Sequence, residues 1–116
     1  MMASMAAPTV ALVSADLILA SRLRAALRGI AALAVVAAGD VPPAHTVFVD
    51  LNEQADDRIA LIAALRAAGQ DRIIGFCQHD SKGVRIRAMA EGADQVVTNG
   101  ALQEAAIRLV GVLPRD

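Results

Sequence analysis

From Thr9 onward the chain alternates short, wholly apolar runs with stretches of helical periodicity, and this alternation constrains the fold more than any other feature. Runs such as VALV (10–13), VFV (47–49) and IIGF (73–76) carry apolar side chains at both parities. A strand apolar on both faces is covered on both faces, so helices must lie above and below the sheet. Strands that alternate with helices form a parallel sheet with right-handed crossovers.

The pass along the chain gives β-α-β-β-α-β-α-β-α. Strands are expected at Thr9–Ser14, Leu33–Ala38, Thr46–Leu51, Arg72–Cys77 and Asp94–Thr98. After the first strand, Asp16 suits an N-cap. Leu19, Leu23, Ala26 and Leu27 recur at helical spacing, Arg22, Arg24 and Arg28 fall on the outside, and Gly29 stops the helix. Asp56 or Asp57 is expected to cap the next helix, with Ile59, Leu61, Ile62 and Leu65 on its apolar face and Gly69 at its end. Ser81 is expected to cap a helix through Ala90, with Val84, Ile86 and Met89 inward and Gly92 as the stop. Asn99 or Gly100 opens a last helix that ends before Pro114. Between the second and third strands only about seven residues remain, Gly39–His45, and Pro42 and Pro43 forbid a helix interior there. Seven extended residues span roughly 23–25 Å, enough to return past a strand, so a second helix is expected to be missing or one turn long. The fold class is therefore α/β: five parallel strands with helices on both faces. Residues 1–8 are expected to be a flexible tail and 9–116 a single domain.

Composition excludes several function classes. The chain has 116 residues, 56% of them hydrophobic and 20% charged, with a formal net charge of −1. That content supports a packed core and argues against disorder. No basic patch suggests nucleic acid, and the absence of Trp and Tyr, with Phe48 and Phe76 the only aromatics, leaves no base-stacking platform. The lone Cys77 excludes a disulfide framework or a multi-cysteine metal site. Neither a P-loop nor a GxGxxG occurs. No run approaches the ~18 apolar residues of a membrane span, and MMASMAAPTV lacks the basic and Leu-rich regions of a signal peptide. A cytoplasmic protein with neither membrane nor nucleic-acid partner is expected.

In an open parallel sheet, ligands bind at the carboxyl ends of the strands. Those ends hold Ser14, Ala15 and Asp16; Asp50, Leu51 and Asn52; Cys77, Gln78 and His79; Thr98, Asn99 and Gly100. The candidate pocket is thus Ser14, Asp16, Asp50, Asn52, Cys77, Thr98 and Asn99. Each has a plain structural role beside the chemical one. Cys77 is a small buried hydrophobe before it is a nucleophile paired with His79. Asn99 caps the last helix before it binds a ligand. Glu53, Asp56 and Asp57 serve capping and helix-dipole complementarity before a cation site. Lys82, Arg85 and Arg87 form a solvated helix face before an anion site. His45 and His79 are loop residues.

VFVDLNEQADDRIALIAALR (47–66) and RAMAEGADQVVTNG (87–100) resemble the receiver domain of bacterial response regulators, and the resemblance in layout extends from Thr9 to Leu113. With the strand–helix alternation it implies a flavodoxin-like, Rossmann-like fold with the strands in the order 2-1-3-4-5, and it further implies a place in two-component signalling or a phosphorelay, and Asp50 at the phospho-acceptor position. The departures concern chemistry. Receivers carry two acids after strand 1 that hold Mg²⁺ with the acceptor; here Ser14 and Ala15 stand there and Asp16 falls one position late. Cys77 replaces the Thr or Ser of strand 4, Asn99 the lysine of strand 5, Gly100 the proline after it, and Val96 the aromatic switch residue.

Phosphoryl transfer rests on positioning and charge neutralisation, so these changes remove most of its rate. No cofactor is expected; if Mg²⁺ binds, its candidate ligands are Asp50 and Asp16. Without the acidic pair, Asp50 is expected to take hydrogen bonds from the Ser14 hydroxyl or the following amides. The expected function is a degenerate, stand-alone receiver-like module, not an enzyme, that binds a protein partner. A homodimer through the fourth helix, fifth strand and fifth helix of a receiver is included in that expectation. The alternative is a phospho-accepting receiver that uses Asp50; a third reading, a small flavodoxin-like enzyme or ligand-binding protein, has only the fold behind it.

Overall fold

A computed structural model describes residues 9–111. Five strands, β1 (Thr9–Val13), β2 (Ala32–Val36), β3 (Thr46–Asp50), β4 (Arg72–Cys77) and β5 (Gln95–Thr98), form one sheet in the order β2-β1-β3-β4-β5. Every pairing is parallel. Four α-helices accompany them: α1 (Leu17–Ala26), α2 (Ala55–Ala67), α3 (Lys82–Glu91) and α4 (Leu102–Gly111). The expected tail over 1–8 and the end of the last helix near Pro114 lie outside the described residues.

Alternation along each strand sorts the core into two layers. Val10, Leu12, Phe48, Ile74 and Phe76 face α1 and α4, where they meet Leu23, Leu27, Leu102, Ala106 and Val110. Ala11, Val13, Val47, Val49, Ile73 and Cys77 face α2 and α3, where they meet Ile59, Ile62 and Ala88. Register stacks both phenylalanines in one layer, since Leu12 pairs with Phe48 and Asp50 with Phe76. No helix interrupts residues 37–45, so the expected loss of the second crossover helix holds.

Asp16 caps α1 as expected, accepting from the Ile18 and Leu19 amides at 3.0 and 3.1 Å. Three other cap assignments need correction. The N-cap of α2 is Gln54, at a left-handed φ of +50°, and Asp56 and Asp57 lie in the first turn. They complement the helix dipole there, and Asp56 also pairs with Arg87 of α3 at 2.7 Å. Ser81 occupies the N-cap position of α3 without a side-chain capping bond. Asn99 opens a 3₁₀ turn, Asn99–Ala101, ahead of α4, and its side chain bonds across the site instead of capping.

The inward face of α3 also differs from the expectation. Ala88 is its buried residue and Val84 is partly buried, whereas Ile86 and Met89 are 67% and 44% exposed. Residues 84 and 88 define the four-residue stripe that reaches the sheet, and 86 and 89 fall off it. Gly92 ends α3 at φ +129°, where a Cβ would stand 2.8 Å from Cβ of Arg66. The backbone angle and the close approach of α2 both require glycine.

Candidate functional site

The carboxyl ends of β1, β3 and β5 converge on a cleft of about 380 Å³, bordered by Asp16, Arg22, Asp50, Asn52, Gln78 and Asn99. Asp50 is 2% exposed at its floor, because the last residue of the central strand cannot leave the sheet. Three donors from neighbouring residues hold its carboxylate. The Ser14 hydroxyl donates to Oδ2 at 2.7 Å. The backbone amide and side-chain amide of Asn52 donate to Oδ1 at 2.9 and 2.8 Å. Ser14 Oγ accepts in turn from the Asp16 amide at 3.0 Å. A buried carboxylate needs such donors, and each is a charge-assisted bond.

Asn52 extends the network across the cleft. Its second amide hydrogen goes to Asn99 Oδ1, and its own Oδ1 accepts from Asn99 Nδ2, both at 2.9 Å. This reciprocal pair links the loop after β3 to the end of β5. A neutral amide thus meets a neutral amide at the position for which the resemblance implies a lysine.

Two neighbours of the cleft come from outside the strand-end set. Glu53 accepts from the Ala15 amide at 3.0 Å and from Arg58 Nη2 at 3.3 Å. Arg58 is 3% exposed. Its guanidinium donates to the carbonyls of Val13, Asp50 and Ala37 at 3.2, 2.9 and 2.9 Å, tying together the ends of β1 and β3 and the exit from β2. Sequence reading passed over Arg58, though a signal existed: it lies four residues before Ile62 and seven before Leu65, on the inward stripe of α2.

The remaining candidates lie apart from this network. Cys77 is buried in the layer beneath α3. Burial pushes its thiol pKa up, and the nearby Arg85 guanidinium offsets that in part. Thr98 is half-buried at the end of β5. Arg85 folds back toward the His79 carbonyl at 3.4 Å, and Lys82 is exposed. His45 is exposed in a loop, 3.8 Å from Asp71.

The oxygens near the cleft do not fit a Mg²⁺ site. Mg²⁺ needs near-octahedral oxygen donors, usually with carboxylates that offset its dehydration. Here Ala15 offers no side-chain oxygen, Asp16 commits Oδ1 to the α1 amides, and both Asp50 oxygens hold donors. Among the described residues no three acids, histidines or cysteines are grouped to hold a metal.

No protein-family model and no curated protein matches the chain. Solved structures do. The receiver domain of the TMAO respiratory system response regulator TorR superposes with a TM-score of 0.77 at 21% identity, over 88% of this chain and 92% of that one. A response regulator receiver protein from Burkholderia phymatum gives 0.71 at 22%, over 94% and 99%. The Mn²⁺-bound form of response regulator Rcp1 gives 0.74 at 10%, over 94% and 99%. The chain has the fold of these receivers.

Proposed function

We propose that this chain, folded as a response regulator receiver, is a receiver-like signalling module that acts by binding another protein and does not undergo normal aspartyl phosphorylation. The observation that carries this reading is that the hydrogen-bond network around Asp50 is made of neutral donors alone. The incoming phosphoryl oxygens need cations. Ser14 and Asn52 donate to Asp50, and Asn99 contributes an amide where a cation would serve. In this reading the protein works in the cytoplasm, without a cofactor and without an enzymatic activity of its own. Its contact surface is α3, β5 and α4, where Ile86, Met89 and Ile107 are exposed at 67%, 44% and 43%.

Incubation with acetyl phosphate or beryllofluoride and Mg²⁺, read by intact mass and amide chemical shifts, tests the reading. No adduct and no shift around Asp50 are expected. An adduct or shift that Asp50→Ala abolishes would overturn it. The phospho-acceptor reading, with Asp50 as nucleophile, would then stand; the open cleft above Asp50 is the observation in its favour.

A further inference from the structure

We propose that the free edge of β2 is a self-association surface, on which a second copy of this chain adds its own β2 antiparallel across a two-fold axis at Ala34. β2 pairs with β1 on one side and ends the sheet on the other. The Val36 carbonyl faces β1, since it accepts from the Ser14 amide at 2.9 Å. Backbone direction alternates along a strand, so Ala32 and Ala34 also face β1 while Leu33 and Val35 face outward. Arg24 agrees with this placement: its Nη1 reaches the outward Leu33 carbonyl at 3.1 Å. Among the described residues, the Leu33 amide and both backbone groups of Val35 have no protein partner.

Sheet edges are ordinarily protected by charge, proline, a bulge or a covering element. None of these is built into Ala32–Val36, and no charged residue occurs between Ile30 and Gly39. The helix-free return over 37–45 leaves Ala32 and Ala34 exposed on the face toward α2. Among the described residues Arg24, an exposed side chain on one carbonyl, is the single guard.

What fits this edge is argued from its own symmetry. Placing the two-fold at Ala34 sets Leu33 against the partner's Val35 and Val35 against the partner's Leu33. Both are then hydrogen-bonded pairs of an antiparallel ladder, so the outward groups of the two copies are satisfied together. Ala34 falls opposite its symmetry mate in the intervening pair, where side chains approach most closely and a methyl fits. Leu33 meets valine on the face toward α1, an apolar cross-strand contact. No like charges are brought together. Arg24 must release the Leu33 carbonyl, so it competes with association. This edge is remote from the α3–β5–α4 face of the preceding proposal, and the two can fail separately.

Sedimentation velocity on the full chain, over about a hundredfold range of protein concentration, tests the proposal by mass action. The wild type is expected to shift from monomer to dimer. Ala34→Lys, which sets two ammonium groups across the axis at an exposed position, is expected to weaken the dimer at least about tenfold. Its circular dichroism and melting temperature as a monomer should match the wild type. Arg24→Ala is expected to tighten the dimer, and it decides the matter if Ala34→Lys does not fold. A wild type that stays monomeric throughout overturns the proposal. So does a dimer indifferent to both substitutions, including one that Ile86→Lys dissociates in their place.

Discussion

Asp50 has the surroundings of a structural acceptor. Three donors converge on its two oxygens within 2.9 Å, and no carboxylate of Asp16 or Glu53 bonds within that set. Asp50→Ala therefore removes favourable bonds without relieving repulsion, and should lower stability by about 1–2 kcal/mol, the loss of one or two charge-assisted bonds. The midpoint of urea unfolding at unchanged slope checks this; a gain in stability would mean an acidic cluster that the wild-type fold tolerates at a cost. Cys77 yields a second expectation at this scale. Burial raises its thiol pKa, so the thiolate fraction at neutral pH falls below that of a free cysteine, and the thiolate is the reactive form. Native protein should react with iodoacetamide far more slowly than urea-unfolded protein at the same pH. Equal rates would place Cys77 at a reactive surface. Ser14 and Asp50 were recognisable as site neighbours because strand ends converge in a parallel sheet. The Asn52–Asn99 pair was not, because two amides 47 positions apart in sequence carry no local pattern.

At the scale of elements, the apolar periodicity located every strand and helix, and the polar residues around the helix starts were harder to assign. Asp16 capped as its position implied, yet Gln54 displaced Asp56 and Asp57 from the start of α2. Arg58 stands on the inward stripe of α2 beside Ile62, where its guanidinium reaches the Asp50 and Val13 carbonyls. Arg58→Ala leaves three carbonyls and the Glu53 carboxylate short of a donor, and a destabilisation of about 3 kcal/mol is expected. Arg58→Lys keeps the charge but lacks the planar fork that spans three strand ends, so it should recover only part of the loss. Denaturant melts of both variants decide it. Near-wild-type stability for Arg58→Ala would mean that water replaces the guanidinium at no cost.

At the scale of the molecule, layout and chemistry separate. Parallel pairing and the missing crossover helix follow from two-sided apolar runs and a short proline-containing return, which is why they were legible in the sequence; the strand order needed the resemblance to receivers as well. Cation binding depends instead on where a few oxygens point, and that is visible only in three dimensions. Asp16 is the instructive case: counted along the chain it is one position from the acidic pair of a receiver, but its Oδ1 caps the α1 amides. Turning it away from α1 toward a metal would uncap the helix, at about 1 kcal/mol, and turning Asp50 would break the Ser14 or Asn52 bonds. Those costs come out of the binding free energy, and the dissociation constant for Mg²⁺ is expected at or above the ~5 mM of the test below. A ligand present at its dissociation constant adds only ~0.4 kcal/mol to native stability. For a domain of this size that corresponds to a rise in melting temperature of no more than about 2 °C. Differential scanning calorimetry in about 5 mM MgCl₂, against a choline chloride control of equal ionic strength, is expected to stay within that limit, as is Asp50→Asn. A rise of several degrees that Asp50→Asn removes would show that Asp16 turns inward and that the cleft assembles a cation site on demand.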